Sequence, residues 1–530
     1  TLAAYAVGRR GSAEHNRSSS GPCRSAESQY RRSAFIARHS GSTREHGYFD
    51  LPYQGDKTLE TLSFDLAVIG AGPAGQKGAI QGAKAGKSVA IIDRMGMLGG
   101  SCLHQGTIPS KALRMAILDL SGFLQSVYFD GETRQSKQEI SMEDLQVRLN
   151  KVIGDEDAVL KKQCEANGVQ MVYGSARFAD EHLIEVSNIA GEVTHQIVAA
   201  NTLISTGSRP RHPINIPSDD LVFMDSDEIF RMKRLPDKMI VVGCGVIGCE
   251  YATMFAALGI EVVLLDRRVG IMRMLDEEIG EIFANYIKKI GVDLRLGQAI
   301  EEITHSKDGQ AMVKMKDGEE VIAPCLFYSM GRIANVEGID LENAGIELDK
   351  LGNIPVNALF QTACPHIYAA GDVIGPPSLA STSMEQGRLA VRNAFLLSSH
   401  HFPEIFPYGI YTVPEISSVG PTEQELRENG IHYEVGRASY HETARGPIAG
   451  DTTGMIKLIF HAETLEVLAA HIIGTNATEI IPLGQMAINF RARIDYFVDQ
   501  IFNYPTFAEG FRIAALNGLN KVRPADESAV

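Results

Sequence analysis

Residues 64–75 read FDLAVIGAGPAG, and they predict the central architecture of this 530-residue chain. The first half is an apolar run typical of a buried β-strand. In the second half, Gly70, Gly72 and Gly75 follow the GxGxxG pattern, which permits a tight turn and lets the backbone approach a pyrophosphate at the start of a helix. The next predicted strand, residues 88–92, ends at Asp93, where a carboxylate can accept hydrogen bonds from a ribose. The stretch therefore predicts a βαβ unit that binds a dinucleotide.

The same unit recurs later in the chain. A strand leads into a second GxGxxG turn, formed by Gly243, Gly245 and Gly248. The strand after the following predicted helix ends at Asp266, with the same spacing from the first glycine as in the first unit. Two copies of one unit predict either two dinucleotide sites or one site and a relic.

Two arginines follow the acidic residue of the second unit. A carboxylate at this strand end binds the 2′-hydroxyl of NAD(H) and repels the 2′-phosphate of NADP(H), whereas a guanidinium pairs with that phosphate. If this unit binds a nicotinamide nucleotide, Asp266 beside Arg267 and Arg268 is a pattern that could accept both forms. The alternative interpretation is that the two arginine side chains point into solvent.

The composition excludes several classes of protein. A net charge of −15 argues against a nucleic-acid surface. The sequence contains no run of eighteen consecutive apolar residues, so no membrane-spanning helix is predicted. The length predicts three or four domains. The seven cysteines are scattered, as in proteins of a reducing compartment, and no Cys/His cluster has the spacing of a zinc site. We therefore expect no nucleic-acid partner, no membrane span and no bound metal.

The N-terminal segment differs from the rest of the chain. Residues 1–44 hold eight Arg, nine Ser, two Glu and no Lys or Asp. Such Arg-rich, Ser-rich and acid-poor segments are typical of organellar transit peptides. The prediction is a leader that directs the protein to the mitochondrial matrix. The alternatives are plastid targeting, or a disordered tail on a cytoplasmic protein.

Residues 99–114 read GGSCLHQGTIPSKALR. This segment resembles the redox-active segment of the flavoprotein disulfide reductases, in which a Cys-x4-Cys pair forms a disulfide beside the flavin. Here Cys102 occupies the first position and Thr107 the second. A threonine hydroxyl cannot take part in thiol–disulfide exchange. The resemblance therefore implies the fold of this family without its disulfide chemistry.

Three further segments, residues 203–210, 326–332 and 366–372, resemble the connections between domains in the same family. By this resemblance the first glycine unit binds FAD and the second binds a nicotinamide nucleotide. The implied fold class is α/β, with two Rossmann-like dinucleotide-binding domains, for FAD and NAD(P), plus an α+β dimerisation domain. The implied segments are a leader (1–60), the first part of the FAD-binding domain (61–208), the NAD(P)-binding domain (209–330), the second, central part of the FAD-binding domain (331–405) and the dimerisation domain (406–530).

The resemblance also implies cofactor contacts outside the two glycine units. These residues are Arg94, Gly100, Cys102, Lys111, Thr206, Gly207, Gly331, Gly371, Asp372 and Ala380. Ala380 lies at the start of a predicted helix whose N-terminus faces the flavin in this family, where a positive dipole end favours negative charge. Lys111 is expected to pair with Glu250.

Residues 502–509 read FNYPTFAE and resemble a family segment, His-Pro-Thr-x-x-Glu, whose His–Glu pair moves protons for the thiols of the partner subunit. Tyr504 stands in place of the histidine, and Glu509 is retained. An enzyme without a second thiol needs no acid–base histidine, so this departure agrees with Thr107. Both departures resemble the soluble, Si-specific NAD(P)+ transhydrogenases, as do residues 106–114 and 514–520.

This resemblance implies a homodimeric or higher oligomeric FAD enzyme that transfers hydride between NADPH and NAD+ in ping-pong order, without a redox disulfide. Its substrates are NAD(H) and NADP(H). The implied catalytic residues are Cys102, Thr107, Lys111, Glu250, Tyr504 and Glu509. The alternatives are a disulfide reductase similar to dihydrolipoamide dehydrogenase, and a flavin-binding subunit without catalysis.

Overall fold

A computed structural model describes residues 59–121, 140–213, 216–217, 221–398 and 401–522. The predicted leader, residues 1–60, lies outside these ranges apart from its last two residues. Within the described ranges, no helix is both long enough and apolar enough to cross a membrane.

The first glycine unit belongs to a seven-stranded sheet. Its strands are β1 (Glu60–Ile69), β2 (Val89–Asp93), β3 (Gln170–Tyr173), β4 (Ser175–Phe178), β5 (Leu183–Ser187), β6 (Val193–Ile204) and β17 (Ile367–Ala369). The strand order is β3-β2-β1-β6-β5-β4, and β17 pairs with the end of β6. Strand β1 begins four residues before the predicted start at Phe64, because its first residues pair in parallel with β6. The buried half of β1 leads directly into the first glycine turn.

Helices accompany this sheet in the chain, and two of them, the first and the last named below, meet closely beside the first glycine turn. They are α1 (Pro73–Lys84), α2 (Gly100–His104), α3 (Thr107–Ser121), α4 (Met142–Ala166) and α7 (Ala380–Ala394). Helix α7 starts at the predicted position, Ala380. A Cβ atom on Gly387 would overlap the carbonyl oxygen of Ala74, so a glycine lets the backbone of α7 approach α1. This contact fixes the N-termini of both helices at the same edge of the sheet.

The second glycine unit forms a parallel sheet. Its strands are β8 (Phe223–Met224), β9 (Lys238–Val242), β10 (Glu261–Asp266), β11 (Val292–Leu296) and β15 (Cys325–Tyr328), in the order β11-β10-β9-β15-β8. Helices α5 (Val246–Ala257) and α6 (Glu277–Lys289) pack on one face. An antiparallel sheet of β12 (Ile300–His305), β13 (Ala311–Met315) and β14 (Glu320–Ala323) packs on the other. Both faces are therefore buried, which explains the continuous apolar runs of β9 and β10.

The two connections between the dinucleotide-binding units run side by side. Strand β7 (Ser208–Pro210) pairs antiparallel with β16 (Arg332–Ala334). Short 3-10 turns occupy Ile229–Arg231, Leu341–Ala344, Asp372–Ile374 and Tyr440–Glu442. The ribbon of β7 and β16 places residues of both connections next to the region between the two glycine turns.

The C-terminal part is an α+β layer. Strands β18 (Tyr408–Ile410), β19 (Ile416–Val419), β20 (Tyr433–Ser439), β21 (Met455–His461) and β22 (Val467–Ile473) form an antiparallel sheet in the order β18-β19-β22-β21-β20. Its helices are α8 (Glu423–Glu428), α9 (Arg445–Ala449), α10 (Ala477–Asn489), α11 (Asp495–Asp499) and α12 (Glu509–Val522). The observed architecture confirms the predicted fold class.

A buried lysine joins this layer to the second dinucleotide unit. Lys457 on β21 is buried, and its Nζ atom lies 2.7 Å from Asp276, 2.5 Å from Glu423 and 2.9 Å from Glu278. Asp276 also caps the N-terminus of α6 by accepting a hydrogen bond from the amide of Glu278. A buried charge is costly unless an opposite charge lies beside it, so the lysine and the three carboxylates must stay together. Their ion pairs therefore hold the two units against each other.

Candidate active site

Both glycine turns open into one cavity of about 2080 Å³. Typical small-ligand pockets measure about 300–1,000 Å³, so the cavity has room for two dinucleotides. The sequence-predicted site residues on its wall are Gly70, Gly72, Asp93, Arg94, Gly100, Cys102, Thr107, Lys111, Thr206, Gly207, Gly243, Gly245, Glu250, Asp266, Arg267, Arg268, Gly331, Gly371, Asp372 and Ala380. The structure thus brings most of the predicted residues to one place.

The three glycines of the first turn are required for different reasons. Gly70 has a φ of +100°, and a Cβ atom on it would lie 2.5 Å from the carbonyl oxygen of Ser205. A Cβ atom on Gly75 would overlap the carbonyl oxygen of Gly70, so this residue packs the helix on the strand and does not line the cavity. Gly72 has a φ of −68°, and no described atom outside its chain neighbours lies within 4 Å of a Cβ position there. Neither conformation nor packing explains a glycine at position 72.

The three glycines of the second turn have the same three roles as those of the first. Gly243 has a φ of +108°, and a Cβ atom on Gly248 would overlap its carbonyl oxygen. Gly245 has a φ of −80° and open space at its Cβ position within the described structure. In each turn, the middle glycine is therefore explained by a ligand that approaches the backbone at a helix N-terminus, as a pyrophosphate does. Both turns fit a dinucleotide.

Asp93 shapes the first turn in addition to lining the cavity. Its Oδ2 atom accepts a hydrogen bond from the amide of Ala71 at 3.1 Å, and its Oδ1 atom accepts one from the amide of Met95 at 2.9 Å. The sequence pattern predicted a ribose ligand and did not predict these backbone contacts. A carboxylate has further lone pairs, so Asp93 can accept hydrogen bonds from a ribose as well.

Cys102 on α2 is a free thiol beside Thr107, the first residue of α3. Burial raises the pKa of Cys102, and a hydrogen bond with the Thr107 side chain opposes only part of this effect. The thiol is therefore protonated at neutral pH. Among the described cysteines, Cys102 alone lines the cavity. This part of the cavity offers a protonated thiol and a hydroxyl, which cannot form a disulfide.

Lys111 and Glu250 connect the two dinucleotide units at the cavity wall. The Nζ atom of Lys111 on α3 lies 3.0 and 2.8 Å from the carboxylate oxygens of Glu250 on α5. The amide of Tyr411 donates a hydrogen bond to Glu250 at 2.9 Å, and its ring centre lies 4.8 Å from the lysine Nζ atom. The expected Lys111–Glu250 pair is present, whereas Tyr411 was assigned no site role because its sequence context indicated only the dimerisation domain.

The start of α7 supplies free backbone donors to the cavity. The preceding residue, Leu379, makes no side-chain capping bond, so the first amides of α7 lack this partner. Nearby, Asp372 accepts a hydrogen bond from the Ser208 hydroxyl at 2.6 Å, and the Nε atom of Arg332 donates to the same hydroxyl at 2.8 Å. Sequence reasoning missed Ser208 and Arg332, which lay in connecting segments without a distinctive charge pattern. These contacts hold Asp372 at the cavity.

Asp266 and Arg268 pair with each other at the far end of the cavity. The guanidinium of Arg268 approaches the carboxylate of Asp266 through Nη2 at 2.7 Å and Nε at 3.0 Å. The amide of Cys244 donates to the same carboxylate at 2.8 Å. Burial raises the pKa of Asp266, but these hydrogen bonds outweigh it and leave the pKa lowered. Arg268 is therefore paired with Asp266 although its side chain is 51% exposed, and Arg267 is also exposed on the cavity wall.

Tyr504 and Glu509 lie away from the cavity of their own chain. Tyr504 is 72% exposed. Glu509 is the first residue of α12, and its amide donates a hydrogen bond to the Thr506 hydroxyl. Neither residue lines the cavity. The Oε2 atom of Glu509 is buried without a hydrogen-bond partner among the described residues. Whether these two side chains act on a second subunit stays a prediction.

Comparisons with known proteins agree with this geometry. Residues 64–387 match the family model for pyridine nucleotide-disulphide oxidoreductases, and residues 406–515 match the dimerisation domain of the same family. The chain is 44% identical over 466 residues to a soluble pyridine nucleotide transhydrogenase of Mycobacterium bovis, covering 88% of this chain and 99% of the relative. A protein of the same name from Yersinia pestis is 41% identical over 463 residues, covering 87% and 98%.

A solved structure provides a further comparison. The HOCl-induced flavoprotein disulfide reductase RclA from Escherichia coli superposes with a TM-score of 0.76 at 26% identity, covering 85% of this chain and 99% of that chain. The similarity therefore extends over both dinucleotide units and the C-terminal layer.

Proposed function

The chain belongs to the pyridine nucleotide-disulphide oxidoreductase family and is an oxidoreductase, and we propose that it transfers hydride between NADPH and NAD+ with FAD as its resident cofactor. The observation that carries this proposal is the free Cys102 thiol beside Thr107, in a cavity shared by two dinucleotide-binding turns. A family member with this pair lacks a disulfide route, which favours hydride exchange between nucleotides through the flavin. The names of its relatives from M. bovis and Y. pestis support this.

FAD, when bound, supplies a group that accepts hydride from one nicotinamide and returns it to another. The first glycine turn would hold its pyrophosphate and Asp372 its ribityl chain. The amides at the start of α7 would stabilise negative charge. Lys111, whose side chain is 25% exposed and paired with the buried Glu250, would hold a positive charge at the same wall.

The second glycine turn would bind NADPH and NAD+ in succession, in ping-pong order. Arg268 neutralises Asp266 in this structure, which removes the repulsion between a carboxylate and a 2′-phosphate. Arg267 is a second exposed cation beside that position. With NAD(H), the Asp266 carboxylate would accept hydrogen bonds from the ribose 2′-hydroxyl after Arg268 moves away. This arrangement supports use of both nucleotides at one site.

Two further parts of the proposal concern assembly and location. The dimerisation domain supports a homodimer or a higher homo-oligomer, in which exposed Tyr504 would lie against the partner subunit. The composition of residues 1–44 supports an organellar address for the leader, and a fusion of residues 1–60 to a fluorescent protein would test it by its location in cells.

The test of the proposed reaction is anaerobic hydride transfer from NADPH to thio-NAD+ by the purified protein, with lipoamide reduction measured beside it. We expect rapid transhydrogenation, negligible lipoamide turnover, and bleaching of the yellow protein by NADPH. The variant C102S should retain transhydrogenation, because the thiol carries no electrons in the proposed route. Lipoamide turnover that C102S abolishes would instead establish a disulfide route.

A further inference from the structure

A cluster of metal-ligating side chains lies outside the cavity already described. Glu181 occupies the turn between β4 and β5, and Cys364 and His366 lie in the loop that leads into β17. The amide of Thr202 on β6 donates a hydrogen bond to the carbonyl oxygen of His366 at 3.0 Å, which fixes the loop to the sheet. The cluster therefore sits at the N-terminal end of β17, whereas the cavity lies at its C-terminal end, where Asp372 follows.

The distances from the Cys364 sulfur to the other two ligand atoms are close to those in a tetrahedral zinc site. The Sγ atom of Cys364 lies 3.8 Å from Oε2 of Glu181 and 3.6 Å from Nδ1 of His366. One ligand atom from each of the three residues lies within 4.8 Å of the others. Zinc bonds of about 2.0–2.3 Å at tetrahedral angles place ligand atoms roughly 3.3–3.8 Å apart. An ion can therefore reach all three groups with small side-chain movements.

The surrounding hydrogen bonds prepare the histidine for metal binding. Both ring nitrogens of His366 lie 3.6 Å from the Cys364 sulfur, but Nε2 also lies 2.9 Å from the carbonyl oxygen of Glu181. A carbonyl oxygen only accepts, so Nε2 donates to it, and the tautomer of the neutral ring that makes this hydrogen bond has its lone pair on Nδ1. The ring of His182 stacks on that of His366 at 3.9 Å and restricts its rotation. A histidine that donates its second nitrogen to a carbonyl is the usual form of a metal ligand.

We propose that Cys364, His366 and Glu181 bind one zinc ion per chain, with water in the fourth position. A thiolate, an imidazole and a carboxylate together favour zinc over the hard cations Mg²⁺ and Ca²⁺. The bound ion joins the β4–β5 turn to the loop before β17, and it takes no part in hydride transfer. Sequence spacing did not indicate the site because Glu181 lies more than 180 residues from the other two ligands.

Binding requires the Cys364 thiol to lose its proton to solvent as the sulfur–zinc bond forms. Cys364 is buried, with 7% of its surface exposed.

The test is a titration of the full-length chain, freed of metal by dialysis against a chelator, with zinc in competition with a chromophoric indicator. We expect one equivalent of tightly bound zinc in the wild type, loss of it in C364S, and at least a tenfold weaker affinity in E181Q. E181Q changes an exposed side chain and tests the site even if C364S folds poorly.

The matched control is C102S, which removes the partly exposed cysteine of the cavity. It should keep the full zinc equivalent. The proposal is overturned if the wild type binds no stoichiometric zinc, if C364S keeps the equivalent, or if C102S loses it. Equal affinity in E181Q would remove the carboxylate from the proposed ligand set. None of these outcomes depends on transhydrogenation, so the site and the proposed reaction are tested separately.

Discussion

Replacement of Arg268 by alanine should shift the nucleotide preference of the second site from NADPH toward NADH. The side chain of Asp266 is 5% exposed, and its Oδ2 atom forms an ion pair with Nη2 of Arg268 at 2.7 Å. In R268A, this carboxylate keeps its backbone donors but loses its neutralising cation. Its full negative charge then faces the position of the 2′-phosphate, whereas the carboxylate becomes available to a ribose 2′-hydroxyl.

The size of the effect follows from the lost interaction. Hydrogen bonds to charged groups contribute about 1.5–3 kcal/mol. Because the Arg268 side chain is 51% exposed, solvent screening reduces this to about 1–2 kcal/mol. The KM for NADPH should therefore rise about 5- to 30-fold, at 1.4 kcal/mol per factor of ten. The KM for NADH should stay unchanged or fall.

The assay is hydride transfer to thio-NAD+, with NADPH and then NADH varied as donor. The matched control is R273A, because Arg273 is an exposed arginine of the same region that does not line the cavity. R273A should leave both KM values unchanged. An equal rise of both KM values in R268A would refute the reasoning, because it would mean that Arg268 supports the fold of the site and does not discriminate between nucleotides.

Two further predictions concern buried charges. K111M leaves Glu250 without its cation and should lower the free energy of unfolding by about 2–4 kcal/mol, as measured by urea titration. The double variant K111M/E250Q should recover most of this loss. An equal loss in both variants would contradict the argument that the two side chains act as a pair. K457M should cost about 3–5 kcal/mol at pH 7, against no change for the exposed control K350M. Burial raises the pKa of Asp276, but the hydrogen bonds to Lys457 outweigh this effect and leave the pKa lowered. The free energy of unfolding of the wild type should therefore fall as the pH drops below the ordinary value of 3.8 and through the lowered pKa. K457M should lose less of its free energy of unfolding over the same pH range.

Short-range pattern was enough to predict the framework of the molecule. The glycine spacing and the apolar runs predicted both βαβ units, because a strand, a turn and a helix within about thirty residues are specified by local sequence. Strand β9 ends directly before the second glycine turn, as predicted. The start of β1 was placed four residues late because pairing with β6 extends it, and that partner lies more than a hundred residues away. The domain boundaries stay a prediction.

In the candidate site, too, some features could be predicted from the sequence and others depended on the tertiary fold. The resemblance of residues 99–114 to the redox-active segment of the family implied that Thr107 stands where a disulfide partner would be, and the identity of a side chain settles which bonds it can form. The contacts of Tyr411, Ser208 and Arg332 were not predictable, because they depend on connections that the tertiary fold brings together.

The sequence determined which charged and metal-ligating groups the chain carries, and only the tertiary structure decided what each of them contacts. Asp266 and Arg268 are two residues apart, yet their pairing depends on side-chain direction at a strand end. Cys364 and His366 show no metal spacing until folding brings Glu181 beside them. The physical reason is that ligand geometry acts over a few ångströms, whereas sequence spacing fixes such distances only within one helix, strand or turn.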